Sequence, residues 1–553
     1  MVLNQSEFIF LNITFSNQIE RLAQTTLRAL SVILREVKTA TIKEEQLKHL
    51  LVLIKPDLEE HDRQHTLFTL LKSIINRKLI VPEIYEIMER VSEVMVTNQS
   101  SQVREICRNI YLQFLLDYPQ GKARVKKVFE FLAKNLSYVY ESGRLSVMEL
   151  LSVIIQKFDP DNLRNNSDIV FLALVMVLAN DDSATCKESA SAIIKSILGV
   201  YDKSGRDKVA AMMHSWAHQV QQPSLQRLSA QVSGIFVDAL DSTVGKAYLP
   251  DMLSDMMQLL KVDEWQVVYH SLNSLLKVIT TYPETVGEID WVSIVEILNY
   301  QHVWVRYQTS KLINSLFTIK KPFTPKLGKD GILSLESMVE LARKFSFELR
   351  SKHLDNDIAH QVVKNLIFIS RCFATVPIEI KNEKKEEDDE EIAEKAAEEE
   401  EGDEEEVSAE ESWKRDPLGW LFRKLSYQSR LSFFKRSFED NMQEKKLWIM
   451  QPTFICHWMG YMVNTLDSDR ITMYIYQLLH PLVRITGDEN IKKDNELDEL
   501  QNLAQEVMSM IQSKVDNTLY LRVYQAIKQR VVAVRDERKF ARKQNVSISW
   551  ITT

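Results

Sequence analysis

The hydrophobic positions of this chain recur in helical stripes that are separated by short polar segments. Seven stripes follow a turn or polar residue and begin near Asp62, Ser101, Gly143, Asp182, Pro223, Asp263 and His302. Their starts lie about 40 residues apart, an interval typical of repeats built from two or three helices. Within each stripe, apolar residues three and four positions apart are typical of an amphipathic helix. The pattern therefore predicts a stack of helical repeats.

A second set of helices is predicted between these stripes. It covers residues 122–140, 163–179 and 244–260. In the first of these ranges the apolar stripe consists of Val125, Val128, Phe129, Leu132, Leu136 and Val139. Tyr118 and Tyr282 each precede a proline, which disfavours helical backbone in the residue before it and so ends a helix. Each helix pair leaves an apolar face uncovered, so we expect stability to come from stacking on neighbouring pairs.

An apolar residue followed by a cation recurs near the start of the second helix of several pairs. The examples are Val103-Arg104, Cys186-Lys187 and Val305-Arg306. We expect the apolar member to pack on the neighbouring repeat and the cation to reach an acidic residue one repeat away. These positions are therefore predicted to join successive repeats.

The composition favours helices over strands. The 553 residues include only 13 glycines and 13 prolines, well below the usual shares of ~7% and ~5%. Folds rich in hairpins or βαβ units need glycine in turns with positive φ. We therefore predict an all-α fold, a HEAT- or armadillo-like α-solenoid of paired antiparallel helices with a disordered acidic insertion.

One acidic segment sets the net charge. Residues 383–411 contain 18 Asp or Glu and 3 Lys, and without them the formal charge of −8 becomes about +7. Such a segment buries too little apolar surface to order itself. We predict helical repeats over 1–375, the acidic insertion over 376–412, further helical repeats ending in a basic helix over 413–543, and a tail over 544–553. The insertion could mimic nucleic acid, shield basic faces until a partner arrives, or serve only as a solubilising segment.

The sequence shows no motif for catalysis or cofactor binding. The patterns G-x-x-x-x-G-K-[ST], G-x-S-x-G and H-E-x-x-H are absent. His214 and His218 lie one helical turn apart and could hold a metal ion, but no third ligand is evident, so we interpret them as a helix-surface pair. Cys456 and His457 point about 100° apart on a helix, which favours a packing role. We expect a protein that is not an enzyme, with no cofactor and no small-molecule substrate.

The cysteines and the hydropathy indicate the compartment. Cys107, Cys186, Cys372 and Cys456 form no C-x-x-C pair and are interpreted as buried thiols of a reducing compartment. The apolar stretch at residues 8–13 is too short for a signal peptide or a membrane span. We predict a soluble intracellular protein without a membrane partner.

Two clusters of cations are candidate contacts with RNA or a partner protein. The C-terminal cluster comprises Arg522, Lys528, Arg530, Arg535, Arg538, Lys539, Arg542 and Lys543. The second comprises Lys122, Arg124, Lys126 and Lys127. Such clusters neutralise phosphates without reading sequence. The alternatives are a solvated helix end whose cations suit the C-terminal dipole and a solvated repeat face. As contact residues we single out Arg530, Arg535, Arg538, Lys539, Arg542, Lys543, Lys126 and Lys127.

Cations also alternate with aromatic residues between positions 422 and 436. The cations are Arg423, Lys424, Arg430, Lys435 and Arg436, and the aromatic residues are Phe422, Tyr427, Phe433 and Phe434. Aromatic rings among cations can stack nucleic-acid bases, but the helical spacing of these residues favours a place in the core.

Several segments resemble the DRIM family, known also as small-subunit processome component 20. They are LDYP (116–119), YESGRLS (140–146), HVWVR (302–306), QVVKNL (361–366), LFRKLSY (421–427), PLVR (481–484) and AQEV (504–507), in the family's order. The likeness spans most of this chain but only the last part of the family's longer proteins. It implies a HEAT-repeat scaffold of the nucleus and nucleolus that acts in small-subunit biogenesis. The implied partners are processome and preribosome proteins, pre-rRNA and small nucleolar RNP.

Two other functions of a helical-repeat protein stay open. One is a karyopherin-like nuclear transport adaptor, which would bind an import signal and a small GTPase. The other is a regulatory HEAT scaffold for a kinase or phosphatase.

Overall fold

In the computed structural model of the protein, the described residues form helices and no strands. The structure describes residues 20–37, 39, 42–59, 61–320, 327, 331–378, 412–428, 442–486 and 495–549. The α-helices are α1 (Glu20–Glu36), α2 (Glu44–Ile54), α3 (His61–Asn76), α4 (Pro82–Thr97), α5 (Ser101–Asp117), α6 (Lys122–Asn135), α7 (Glu141–Lys157), α8 (Pro160–Asn180), α9 (Ala184–Val200), α10 (Lys203–Ala217), α11 (Pro223–Ala239), α12 (Ser242–Gly245), α13 (Leu249–Leu259), α14 (Trp265–Thr281), α15 (Trp291–Glu296), α16 (Val303–Lys320), α17 (Leu335–Glu348), α18 (Asn356–Phe373), α19 (Pro417–Gln428), α20 (Met442–Thr465), α21 (Ser468–Met473), α22 (Ile475–Thr486), α23 (Asn495–Lys514) and α24 (Asn517–Ser549). The predicted all-α class is confirmed.

Short 3₁₀ turns lie between several of these helices. The turns are Pro56–Glu59, Lys246–Tyr248, Pro283–Glu288, Ile297–Asn299, Gly331–Leu333 and Ser412–Lys414. Across the described ranges, no helix has the length and apolar character that a membrane crossing requires.

The seven predicted stripes correspond to α3, α5, α7, α9, α11, α14 and α16, each beginning within two residues of its predicted start. Local chemistry sets these boundaries. Ser183 precedes α9, and its hydroxyl accepts a hydrogen bond from the Cys186 N–H, which satisfies one free donor of the first turn. α5 ends at Asp117 and α14 at Thr281, immediately before the two Tyr-Pro dipeptides, as predicted.

The chain divides into two compact units, Met1–Lys277 and Val278–Thr553. In the first unit, α1, α3, α5, α7, α9 and α11 form one layer, in which each helix contacts the next. The second layer contains α2, α4, α6, α8, α10 and α13, where α2 contacts α4, α6 contacts α8 and α10 contacts α13. Neighbouring helices such as α8 and α9 pack across the layers. Short loops between packed neighbours make the pairs antiparallel, and the unit is a HEAT-like α-solenoid.

The second unit repeats this two-layer arrangement. One layer runs through α16, α18, α20 and α23, and the other through α17, α19, α22 and α24, with contacts between successive helices in each. Phe422 is fully buried and packs against Trp458 and Tyr474 at ring-centroid distances of 5.0 and 5.2 Å. The core of this unit therefore holds large aromatic side chains between the layers.

Two of the predicted first helices differ from their prediction. The helix expected over 122–140 ends at Asn135, because 3₁₀-type bonds from the Ser137 and Tyr138 N–H groups tighten its last turn. Val139 is therefore 81% exposed in the connection to α7 and lies outside the apolar stripe. The prediction for that residue was wrong.

The helix expected over 244–260 is divided into α12, a 3₁₀ turn and α13. Pro250 is the second residue of α13, where its missing N–H leaves no helical bond unmade. In an uninterrupted helix, the Pro250 ring would clash with the carbonyl of Lys246. The proline therefore determines where α13 begins.

Three arginines occupy equivalent positions near the starts of α5, α7 and α16. The Nη1 groups of Arg104, Arg144 and Arg306 donate to the backbone carbonyls five and six residues earlier, at 2.8–2.9 Å. Arg306 also reaches Glu348, Nε to Oε2 2.8 Å, 42 residues later in the chain. The prediction that Arg104, Lys187 and Arg306 join successive repeats is confirmed for Arg306. Arg104 donates to the preceding carbonyls, which orients the loop before α5.

The apolar residues beside the cations are buried, as expected. Val103, Cys186 and Val305 are each at most 9% exposed. All four cysteines are free thiols and buried, which also agrees with the prediction. The predicted domain boundaries stay predictions, and residues 379–411 of the acidic segment lie outside the described residues.

Candidate nucleic-acid interface

The first candidate surface is the α6 cluster, defined as Lys122, Arg124, Lys126 and Lys127. All four side chains are exposed, whereas Val125, Val128, Phe129 and Leu132 on the opposite side of α6 are buried. The amphipathic pattern of α6 therefore anchors one face in the core and presents the cations to solvent. Two of the cations lie in the first helical turn and two in the second.

Few neighbours compensate the charge of the α6 cluster. The Arg124 guanidinium lies 3.9 Å from the centroid of the Tyr85 ring, and the Lys126 Nζ lies 3.8 Å from Glu130 Oε1. Within the described part of the chain, Lys122 and Lys127 have no ion-pair partner. The surface thus carries positive charge that the fold itself leaves accessible.

The helix dipole makes this placement unfavourable for stability. The N-terminus of a helix carries a partial positive charge, and a cation there destabilises the helix by roughly 0.3–1 kcal/mol. The first turn of α6 contains no acidic residue that would offset the two cations it carries. Because the cluster weakens α6 slightly, local stability does not explain it, and a bound anion would relieve the repulsion.

The second candidate surface is the C-terminal cluster on α24. Arg522 and Lys528 are exposed and Arg530 is partly buried, whereas Tyr520 and Ile527 are buried, and α24 packs against α22. The backbone of Arg535, Arg538, Lys539, Arg542 and Lys543 belongs to α24, but the side chains of these five residues lie outside the described part. None of these cations lies in the last turn of α24, where the helix dipole would favour a cation.

The two predicted clusters differ in how much of their side-chain geometry the structure describes. Five cations of the α24 cluster have side chains outside the described part, so a solvated helix end stays a sufficient interpretation there. Lys126 and Lys127 of the α6 cluster are described and exposed to solvent. Their role as contacts stays a prediction.

Of the four interleaved aromatic residues, the structure describes the side chain of Phe422 alone. Phe422 is buried in the core, as its helical spacing indicated. The side chain of Tyr427 and both Phe433 and Phe434 lie outside the described residues. Phe422 therefore has no free face for base stacking.

A third feature is a histidine–aspartate cluster in the first unit, defined as His214, His218 and Asp255. His214 and His218 are exposed on α10, as predicted, with ring centroids 4.4 Å apart. His214 Nδ1 lies 3.0 Å from both oxygens of Asp255 on α13, and His218 Nδ1 lies 3.8 Å from Asp255 Oδ1. Burial raises the pKa of the Asp255 carboxyl above its ordinary value, and the hydrogen bond with His214 opposes that shift.

Sequence reasoning missed Asp255. Asp255 follows His214 by 41 residues, which is one repeat. In a stack of repeats, residues one period apart lie on adjacent helices of the same layer, so this spacing was the available signal. The register that brings α13 beside α10 also depends on the break at 246–248, which the apolar pattern did not reveal.

Comparison with known proteins identifies relatives along most of the chain. Residues 247–547, just over half of the chain, match the family model for the small subunit processome component 20 homolog, C-terminal. Two curated relatives are both named U3 small nucleolar RNA-associated protein 20. The one from Schizosaccharomyces pombe is 28% identical over 537 residues, and the one from Saccharomyces cerevisiae is 28% identical over 535 residues. Each alignment covers 94% of this chain and 20% of the relative.

The chain therefore spans about a fifth of the length of the curated relatives that it matches. Among solved structures, importin beta in an ammonium sulfate condition aligns with 92% of this chain and 62% of its own, with 12% identity and a TM-score of 0.49. A likeness at this identity and TM-score carries no inference about function.

Proposed function

The chain belongs to the small subunit processome component 20 family, as its C-terminal region, and from this we propose that it is a non-enzymatic scaffold of the small-subunit processome. In this role it acts in pre-rRNA processing and small ribosomal subunit biogenesis by binding assembly factors and pre-rRNA. The proposal places it in the nucleus and nucleolus. The observation that carries it is the family match over residues 247–547.

The architecture favours a role in binding partners over a role in catalysis. Two layers of stacked helices present long rows of exposed side chains, and each row can contact a different partner. The names of the two yeast relatives associate those proteins with the U3 small nucleolar RNA. On this basis we propose processome and preribosome proteins, pre-rRNA and small nucleolar RNP as the partners of this chain.

The α6 cluster is the proposed electrostatic contact for the RNA backbone. Its exposed cations would neutralise phosphates and displace counterions, which gives affinity that falls steeply with salt and depends little on sequence. The C-terminal cluster on α24 is the second proposed contact. For the acidic segment at 383–411, the proposed roles are competition with RNA for these cations and shielding of the cations.

The experiment is affinity purification of the tagged chain from nuclear extract, with sequencing of bound RNA and identification of bound proteins. We expect small-subunit precursor rRNA together with processome proteins. Recovery of a small GTPase and import cargo without rRNA would replace the proposal by a transport adaptor. Recovery of a kinase or phosphatase without rRNA would replace it by a regulatory scaffold.

A matched pair of variants separates a specific surface from general charge. K126E/K127E reverses two cations of the α6 cluster, and K203E/K208E makes the same charge change on α10, where Lys203 and Lys208 are also exposed. We expect the first variant to lose rRNA and the second to keep it. Equal loss in both would show that net charge, not the α6 cluster, governs the association.

A further inference from the structure

The histidine–aspartate cluster is not used by the proposed scaffold function. It joins two helices of the same layer, since His214 and His218 lie on α10 and Asp255 lies on α13. Each of the three side chains offers one possible ligand atom, and these atoms all lie within 4.8 Å of one another. The three residues therefore converge on one point at the surface of the first unit.

We propose that His214, His218 and Asp255 bind one transition-metal ion of the Zn²⁺ class, which links α10 to α13. The ligand set is two imidazoles and one carboxylate, with solvent completing the coordination. Zn²⁺ is commonly bound by three such side chains, leaving a fourth position for water.

The spacing of the cluster fits such an ion. Zn²⁺ binds nitrogen and oxygen at about 2.0–2.1 Å, so two ligands of a tetrahedral site lie about 3.4 Å apart. His214 Nδ1 lies 3.0 Å from Asp255 Oδ2, which is close to that separation, and one ligand atom from each of the three residues lies within 4.8 Å of the others. Because both histidines are exposed, small rotations of their side chains can bring the ligand atoms to their final positions.

The surroundings of His218 also favour metal binding. Its Nδ1 lies 2.9 Å from the backbone carbonyl of His214, so the Nδ1–H group can donate to that oxygen. This leaves the Nε2 lone pair available for an ion. A metal-ligating histidine usually donates its other ring N–H to a carbonyl or carboxylate, which fixes the tautomer and the ring orientation.

The negative charge around Asp255 also favours a bound cation. Asp255 is only 8% exposed, and burying a carboxylate is unfavourable unless a cation compensates it. Asp251 lies one turn earlier on α13 and adds a second negative charge near the cluster. A divalent cation bound at the cluster would offset both carboxylates.

The experiment titrates Co²⁺, and separately Zn²⁺, into the purified full chain after treatment with a chelator. Co²⁺ reports its coordination by visible absorption, and calorimetry gives the Zn²⁺ stoichiometry. We expect about one ion per chain, bound in a tetrahedral nitrogen and oxygen environment. H218A and D255N should each weaken the affinity at least tenfold, since disturbing even outer-shell partners of a metal site costs about 10–100-fold.

The matched control is H49A, which removes an exposed histidine of α2 outside the cluster; its affinity should equal that of the unmodified chain. Circular dichroism of each variant checks that the helices are intact, and His218 is an exposed position whose truncation leaves the core unchanged. Absence of saturable binding would overturn the proposal. Unchanged affinity in H218A and D255N, or cobalt bands typical of thiolate ligation, would also overturn it by assigning the ion to other residues.

Discussion

Arg306 on α16 and Glu348 at the end of α17 form an ion pair between two helices of the second unit, with Nε 2.8 Å from Oε2. Both side chains are almost entirely buried, at 12% and 13% exposure. The same guanidinium donates to the carbonyls of Tyr300 and Gln301. One side chain thus fixes the loop before its own helix and the position of the following repeat.

Replacing Arg306 by methionine should destabilise the second unit by about 3–5 kcal/mol, because it leaves a buried carboxylate without its cation. Glu348→Gln should cost less, since a neutral amide can remain beside the guanidinium. The free energy of unfolding in urea measures both. Equal losses in the two variants would contradict the assigned role of the cation.

The same pair predicts a dependence on pH. Burial raises the pKa of the Glu348 carboxyl above its ordinary value of 4.5, and Arg306 opposes that shift. A carboxyl whose pKa is raised by folding stabilises the fold when protonated, so its contribution is present below 4.5 and is lost as pH rises through the folded pKa. Without the opposing cation, the pKa of the Glu348 carboxyl rises further. Lowering pH from about 7 toward 4.5 should therefore recover more stability in Arg306→Met than in the unmodified chain.

Gly143, near the start of α7, is required by a close approach of backbone. A Cβ at this position would lie 2.6 Å from the Val96 carbonyl oxygen and 2.4 Å from the Tyr138 ring. Gly143→Ala should destabilise the first unit by about 1–3 kcal/mol, as overpacking does. Gly199→Ala is the control, because nothing lies within 4 Å of its added Cβ. That change should be neutral or stabilise by up to about 1 kcal/mol. The free energy of unfolding in urea distinguishes the destabilisation expected for Gly143→Ala from the neutral or stabilising effect expected for Gly199→Ala.

His270 should make the first unit sensitive to mild acid. Burial, with the nearby cations Arg227 and Lys187, lowers the pKa of His270 to about 4 from 6.5. Below 6.5 the unfolded chain takes up the proton first, so stability is complete above 6.5 and is lost as pH falls toward 4. His270→Gln should lose less stability between about pH 7 and 5 than the unmodified chain. His49→Ala, which removes an exposed histidine of α2, is the control for loss of a histidine elsewhere in the first unit.

The α6 cluster predicts a measurable salt dependence. In a titration of the purified chain with a small-subunit precursor rRNA fragment, K126E/K127E should reduce the slope of log affinity against log salt by about 2, one unit for each phosphate contact removed. K203E/K208E should leave that slope unchanged. Identical slopes for all three proteins would remove Lys126 and Lys127 from the contact.

The C-terminal cluster can be tested without truncating the helix. Replacing Arg535, Arg538, Lys539, Arg542 and Lys543 by glutamine keeps good helix formers while it removes five charges. We expect weaker retention of RNA or preribosomes across a salt series, with helical content unchanged by circular dichroism. Retention equal to that of the unmodified chain would support the solvated helix end instead.

The sequence by itself determined the features that depend on local spacing. The stripes that became α3, α5 and α7 begin within two residues of their predicted starts, because apolar periodicity and helix-ending residues act over a few positions. The burial of Phe422 followed from the same periodicity, and that of Cys186 from its place in an apolar–cation pair. The family was recognisable from short segments in a fixed order.

The tertiary structure decided which pairs of residues, spaced one repeat apart in the sequence, come into contact. Val139 has the spacing of a core residue, yet the turn after Asn135 carries it into solvent. Asp255 lies beside His214 only because α13 starts anew at Leu249 and stacks on α10. A period of about 40 residues limits such contacts to a narrow range of sequence separations. The stacking register selects among them, because it is set by packing between helices and not by the pattern within one.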